Sequence, residues 1–407
     1  MEVVHERCCG LDVHKASLTA CVLSSTKRET RTFGTMTDEL LRLADWLREE
    51  GVTHVAMEST GVYWKPIYNV LEGADLKLLV VNARHVKAVP GRKTDVKDAE
   101  WLADLLRHGL LRASFIPDRA QRELRELVRY RRGLIDQRGD VARRIQKVLE
   151  GANIKLGDVA SDVLGVSGMA MLKALVAGEA DPIALAALAK KGLKRKHSEL
   201  ERALLGSVGA HQRYLLRHQL NQVEFLDRQI ADLSQEIEVR MRPFEVAIAH
   251  IDAVWGLGRR SAEAILAEIG TDMSRFPSEK HISSWARLCP GNDESAGKRR
   301  SGWTGKGNRW VKSALVEAAW SAVRNKNSYY AALLYHRLGQ RRGKKRAIVA
   351  VAHSLLVTIY FMLRDGTVFQ DLGAGYFDHR DRDHIVRRSV RRLESLGYHV
   401  SLSEGAA

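Results

Sequence analysis

Asp12, Glu58, Asp95 and Asp98 are the residues whose type and placement could do chemistry in this chain. Asp12 lies at the end of the first predicted strand and Glu58 at the end of the fourth. Asp95 and Asp98 are three apart on a predicted helix and so share one of its faces. The chain around them carries 65 Lys and Arg against 49 Asp and Glu, a net charge of +16. A basic protein is suited to holding phosphates, and a carboxylate cluster inside one suggests a divalent-metal site for phosphodiester chemistry. Two Mg²⁺ ions about 4 Å apart can activate a nucleophile and offset charge on the leaving oxygen, and carboxylates would hold them. Each acid alone has a plainer reading, since solvated helix pairs and strand-end aspartates are ordinary. The chemistry depends on the elements that bring them together.

Those elements read as α/β over the first 110 residues. Cys8–Val13 and Ser17–Leu23 are short apolar strands joined at a turn near His14 and Lys15. Glu29–Phe33 is a third strand, and Asp38–Glu49 has helical periodicity. Thr53–Met57 is a strand ending at Glu58, and Thr60 and Gly61 open a helix that runs through Tyr68 to Leu71. Leu78–Val81 is a short buried strand. A basic loop with Pro90, Gly91, Arg92 and Lys93 leads into a helix from about Asp95 to Arg107. This order of elements is that of a ribonuclease-H-like fold, in which the first and fourth strands are neighbours and their terminal carboxylates converge.

The remainder reads as helical. Residues 112–147 hold eleven Lys and Arg against five Asp and Glu, which suggests a basic helical face. Residues 165–196 are rich in Ala and Leu. Leu216, Val223, Leu226, Ile230, Leu233 and Ile237 follow heptad spacing, with Gln219 the polar member. The spacing fits a short coiled coil and self-association, or equally an amphipathic helix packed in its own domain. Gly256 and Gly258 form a tight turn between two helices, resembling a helix–hairpin–helix whose backbone approaches a phosphate, with Arg259 and Arg260 adding charge. Residues 298–346 carry fourteen Lys and Arg and one acid, Glu317. Trp303, Trp310, Trp320, Tyr329, Tyr330 and Tyr335 are interleaved there, a pattern that favours nucleic-acid contacts. The expected organisation is a catalytic domain at 1–115, a helical and coiled-coil region at 116–243, a mainly helical domain at 244–365 and a polar basic tail at 366–407. Arg387, Arg388, Arg391 and Arg392 in the tail fall at helical spacing and suggest no chemistry.

The bulk properties exclude other classes. No apolar run approaches the roughly 20 residues of a membrane span, and Met1–Arg7 lacks the apolar segment of a signal peptide. A cytoplasmic protein, associated with the nucleoid when bound to DNA, is the expectation. Cys8, Cys9, Cys21 and Cys289 make no disulfide framework or zinc pattern and are expected to be reduced core thiols.

Three local sequences sharpen the reading. Gly10-Leu-Asp12-Val-His-Lys15, Glu58-Ser-Thr-Gly-Val-Tyr63 and Arg92-Lys-Thr-Asp95-Val-Lys-Asp98 resemble, in order and separation, the DEDD-type insertion-sequence transposases of the IS110 family. Val254-Trp-Gly-Leu-Gly258, Arg287-Leu-Cys-Pro290 and Gly305-Lys-Gly-Asn308 resemble that family's C-terminal transposase domain. The resemblance implies a RuvC-like N-terminal domain in which Asp12, Glu58, Asp95 and Asp98 bind Mg²⁺, with Mn²⁺ an alternative. It implies a serine nucleophile, matched here by Ser295, that forms a covalent protein–DNA intermediate. Ala296 stands where the family pattern has Gly directly after the serine, and Ser301 is a second candidate. It further implies double-stranded DNA as partner, an element-encoded guide RNA, and a homodimer that assembles to a tetramer. Contacts to nucleic acid are expected from Arg92, Lys93, Arg131, Arg132, Arg259, Arg260, Lys298, Arg299, Arg300, Lys306 and Arg309. The alternative enzyme is a RuvC-type structure-specific nuclease using the four acids alone. A non-catalytic binding protein, whose acids temper a basic surface, is a third reading.

Overall fold

The structure is a computed structural model that describes residues 2–59, 61–82, 86, 98–290, 293–295, 297–301, 304–305 and 307–403. For 293–295 and 298–301 the description is of the backbone. Asp95, Arg92, Lys93 and Lys306 lie outside the described residues. The chain divides into two units, Met1–Asp118 and Arg119–Ala407.

The first unit is built on a mixed five-stranded sheet. Its strands are β1 (Cys8–Val13), β2 (Ser17–Leu23), β3 (Arg28–Gly34), β4 (His54–Glu58) and β5 (Lys77–Val81). Their order across the sheet is β3-β2-β1-β4-β5. β1 runs antiparallel to β2 and parallel to β4, and β4 runs parallel to β5. Sequence alternation decides which face each side chain takes. Cys9, Leu11, Leu18, Ala20, Val55 and Met57 face a core closed by α1 (Thr37–Glu49) and α2 (Trp64–Leu71). Cys8, Cys21 and Ala56 face the opposite side, packed against Ala99, Ala103 and Leu106 of α3 (Asp98–Arg107). α1 buries Leu40, Leu43, Ala44, Trp46 and Leu47 at helical spacing, and each leucine is worth about 1.5–3 kcal/mol on burial. The expected strands are all present, shifted by at most a residue at an end. α2 begins at Trp64, after a turn through Gly61, where φ is +56°.

The second unit is largely helical. Its longest elements are α4 (Arg119–Gly151) and α9 (Ala210–Met241), which pack along one another. Between them lie the short helices α5 (Leu156–Val159), α6 (Val166–Ala177), α7 (Pro182–Ala187) and α8 (His197–Leu204). Leu216, Val223, Leu226 and Ile230 are buried in the same cluster as Leu134, Val141 and Ile145 of α4. The heptad seam is therefore occupied inside its own unit, as an intramolecular helix pair. α10 (Glu245–Asp252), α11 (Arg259–Ile269) and α12 (Glu279–Ala286) follow, then a two-stranded hairpin of β6 (Asp293–Ser295) and β7 (Lys298–Ser301). The unit continues with α13 (Arg309–Arg324), α14 (Tyr329–Arg342) and α15 (Lys344–Asp365), and ends with α16 (Tyr376–Arg380) and α17 (Arg382–Glu394).

α15 corrects one expectation from sequence. It is long and apolar enough to cross a membrane by length and composition, although no such run was expected. Ile348, Val351, Leu355, Leu356, Ile359 and Tyr360 on it are buried within the unit, where the Tyr360 hydroxyl donates to the Phe276 carbonyl (3.1 Å). The apolar run belongs to a core helix.

Candidate active site and nucleic-acid interface

The carboxylates are placed by strand register. β1 and β4 pair in parallel through Cys8–His54, Cys9–Val55, Gly10–Ala56 and Leu11–Met57, so Asp12 and Glu58 are the next positions along the two adjacent strands. Neighbouring strands lie about 4.8 Å apart. Asp12 shares a face with Cys8 and Gly10, and Glu58 shares that face with Ala56. It is the face covered by α3, whose first residue is Asp98. Asp12, Glu58 and Asp98 are each half-buried.

Gly10 allows this arrangement. A Cβ at that position would stand 2.2 Å from the Ala99 carbonyl oxygen and 2.4 Å from the Ala103 nitrogen. Only a residue without a side chain lets the α3 backbone lie this close to β1. The same contact fixes the start of α3, and with it Asp98, beside the carboxyl ends of β1 and β4. His14 stands beside one of these acids: its Nε2 lies 3.2 Å from Asp12 Oδ2. Composition did not single out this histidine, although its i+2 spacing from Asp12 across a turn was visible. Among the described residues no group of three His, Cys, Asp or Glu side chains is close enough to hold a metal ion.

The sheet thiols are inert by burial. Burial pushes the Cys8 thiol up to about 11 and raises Cys9 well above its ordinary value. Both are fully buried, and all four cysteines are free, but Cys289, expected in the core with the other three, is only half-buried.

In the second unit, the hairpin that holds both candidate serines sits between α12 and α13. Ser295 pairs with Lys298 across a turn in which Gly297 takes φ +72°. Ser295 is thus next to the hairpin tip, whereas Ser301 pairs with Asp293 at the other end. The hairpin's two roots meet. Arg287, the left-handed cap of α12 (φ +53°), lies against Gly307, where a Cβ would come within 2.4 Å of Arg287 Cγ. The motifs Arg287–Pro290 and Gly305–Asn308, far apart in sequence from the first unit's acids, are therefore the two ends of one loop.

Asn308 is the N-cap of α13, its Oδ1 accepting from the backbone N–H groups of Trp310 (3.0 Å) and Val311 (3.1 Å). Its Nδ2 donates to Glu268 Oε2 (2.6 Å). Glu268 is 2% exposed and also accepts both Nε and Nη2 of Arg129, at 2.6 and 2.8 Å. Arg125 Nε stands 3.4 Å away. Asn308 closes a motif visible in the sequence, but Glu268, Arg129 and Arg125 carried no such signal.

The arginines expected at nucleic acid divide into two groups. Arg131 is buried and donates to Glu263 (2.7 Å), itself buried. Arg259 makes a two-point contact with Glu245 (2.6 and 2.9 Å) and reaches Glu263 (3.2 Å), and the Glu245 pairing raises its pKa further. Arg132 makes a two-point contact with Glu317 (2.9 and 2.7 Å), the single acid of the basic tract. Arg260 and Arg309 are exposed, and among the described residues neither has an acidic partner. Both line a cleft of about 500 Å³ between α4, α11 and α13, where Arg309 and Arg129 lie 4.5 and 5.6 Å from the Trp310 ring. Gly256 has a packing role: at φ +88° a Cβ would meet the Ala318 oxygen and Ala322 nitrogen of α13 at 2.4 Å. The side chains of Lys298, Arg299 and Arg300 lie outside the description.

Two family models match the chain. The DEDD transposase model of the IS110 family matches residues 9–154, which include the sheet and the four acids. A second transposase model, of the IS116/IS110/IS902 family, matches residues 249–336, which include the glycine turn, the hairpin and α13. No curated protein matches the chain. The two matches, in order and together spanning more than half of the chain, identify it as a member of the IS110 family of transposases.

Proposed function

We propose that this transposase cuts and joins DNA strands with a RuvC-like carboxylate site in its first unit and a serine nucleophile in its second. The observation that carries the proposal is the register that sets Asp12 beside Glu58 on the face covered by α3. The strand order β3-β2-β1-β4-β5 supports the ribonuclease-H-like reading.

Hard carboxylate oxygens from two strand ends and one helix start suit Mg²⁺ or Mn²⁺. Asp12, Glu58 and Asp98 would hold the ion with Asp95 as the fourth ligand. Bound there, it would supply Lewis-acid polarisation of the scissile phosphate. The chain's own residues do the rest. The Ser295 hydroxyl attacks phosphorus, an Oγ–P bond forms, and one P–O ester bond of the DNA breaks. The leaving deoxyribose oxygen takes up the proton that Ser295 loses. A hydroxyl of the second strand then attacks the same phosphorus; a new P–O ester bond forms, the Oγ–P bond breaks, and the released Ser295 oxygen takes up the proton that the hydroxyl loses. The hairpin-tip position supports Ser295 over Ser301, and Lys298, Arg299 and Arg300 would offset phosphate charge beside it. Arg260 and Arg309 would contact the nucleic-acid backbone, making binding steeply salt-dependent. A guide RNA follows from the family resemblance. Dimer and tetramer assembly would need a surface other than the 216–237 seam, which is buried.

The metal reading is tested by titrating Mn²⁺ into the full chain and its Asp12→Asn and Glu58→Gln variants by calorimetry, beside DNA cleavage. Weakened Mn²⁺ binding and lost cleavage with retained DNA affinity are expected. Unchanged Mn²⁺ binding in both variants would overturn it.

A further inference from the structure

The hairpin and the two helices that flank it pose a mechanical question. A two-stranded hairpin is marginal by itself, so its direction must be set at its roots. One root is Arg287, held against Gly307. The other is Asn308, whose amide is used on both sides: Oδ1 caps α13 and Nδ2 reaches Glu268. Glu268 is in turn gripped by Arg129, through both its Nε and Nη2, and approached by Arg125, both from α4. Arg125 also donates to the Glu268 and Ala267 backbone carbonyls. Lys312 of α13 donates to Thr304 Oγ1 (2.7 Å), in the segment between the hairpin and α13. A buried carboxylate with this many donors is costly to desolvate, and a merely structural α4–α11 pair would not require Asn308.

We propose that Glu268 is a positioning residue for strand transfer: by holding Asn308 it fixes the root, and hence the approach, of the hairpin that carries Ser295. The inference rests on the serine reading above. Glu268 touches no reacting atom. It acts through Asn308, so a near-isosteric change at either residue misdirects the nucleophile. A displacement of 1 Å at a nucleophile is enough to cost about 100-fold in rate.

Asn308→Asp and Glu268→Gln separate positioning from folding. Aspartate caps a helix as well as asparagine does, so Asn308→Asp keeps α13 capped while removing the donor to Glu268 and opposing two carboxylates. Glu268→Gln removes the charge that the arginines hold and leaves a single side-chain oxygen for which Asn308 Nδ2 and the two Arg129 donors must compete. The double variant restores a donor–acceptor pair with its direction reversed and keeps the net charge. The full chain in each form is assayed for thermal unfolding, for affinity to DNA carrying the element's ends, and for covalent adduct and joined product with Mg²⁺ and the flanking RNA.

Each single variant is expected to lose about 100-fold in joining, with DNA affinity within about threefold of wild type. The double variant is expected to recover at least a tenfold share of that loss. Unchanged joining in both single variants overturns the proposal. So does a loss that follows DNA affinity and unfolding temperature with no recovery in the double variant. Ser295→Ala is run beside them. Joining that survives Ser295→Ala removes the serine reading by itself, and the recovery in the double variant still decides whether Glu268 positions this loop.

Discussion

Gly10→Ala tests how the carboxylate end of the sheet is built. The added Cβ would stand 2.2 Å from the Ala99 oxygen, 2.4 Å from the Ala103 nitrogen and 2.9 Å from Leu102 Cβ. Ordinary contact begins at 3.4 Å, so α3 would have to retreat by about 1.2 Å along its whole contact with β1. Two of the three atoms are helix backbone, which rotamer changes cannot relieve. Ala99, Leu102, Ala103, Leu105 and Leu106 would lift from the sheet together. Overpacking of this kind costs about 1–3 kcal/mol and occasionally more, and the upper end is expected because backbone is struck on two sides. Asp98 would move with the helix, so Mn²⁺ affinity should fall even in the fraction that stays folded. Gly34→Ala is the control, because its Cβ would meet only the flexible Glu39 side chain, at 3.3 Å. Urea unfolding followed by tryptophan fluorescence, with Mn²⁺ calorimetry, makes the comparison. Equal stability and equal Mn²⁺ affinity for the two alanine variants would refute the close-approach argument.

Other consequences follow from buried charge and buried thiols. Glu263→Ala strands Arg131, which is 4% exposed, and should destabilise the second unit by about 3–5 kcal/mol in denaturant unfolding, whereas Arg131→Met with Glu263→Leu should be near neutral. A loss under about 1 kcal/mol for Glu263→Ala would contradict the burial of that pair. Cys8 titrates at about 11 in the folded chain against 9.0 ordinarily, so its contribution to stability is complete below pH 9 and is lost as pH rises toward 11. Over that window unfolding free energy should fall by about 1.4 kcal/mol per pH unit for that thiol, and Cys9 acts in the same direction. A Cys8→Ala chain should show a shallower slope between pH 9 and 11 in urea titrations. Iodoacetamide at pH 8 should label half-buried Cys289 well before Cys8 or Cys9, as read by mass spectrometry.

Much of the first unit was legible because its strands are short apolar alternations broken by turn residues. Cys8–Val13, Ser17–Leu23 and the run ending at Glu58 declare both their extent and their faces. The neighbouring of β1 and β4 followed from the order of elements. The role of Gly10 was not legible, because a lone glycine in a strand signals close approach without saying what approaches. The seam at 216–237 shows the limit of periodicity, which reports an apolar stripe and not the helix that covers it; α4 covers it here. Charge is ambiguous in the same way. Arg131 and Arg260 look alike in sequence, yet one is committed to Glu263 across 132 positions and the other faces a cleft. The partners that decide this are distant in sequence, as are Glu268 and Asn308, so no local pattern announces them.

The most direct test of the account is a search for a covalent protein–DNA adduct. The chain would be incubated with Mg²⁺, RNA transcribed from the element's flanks and labelled DNA spanning its ends, then resolved on denaturing gels as wild type, Asp12→Ala, Ser295→Ala and Ser301→Ala. The account predicts an adduct that survives Ser301→Ala and disappears in Asp12→Ala and Ser295→Ala. Cleaved DNA without adduct, unaffected by either serine change, would contradict it and leave a nuclease that uses the carboxylates alone.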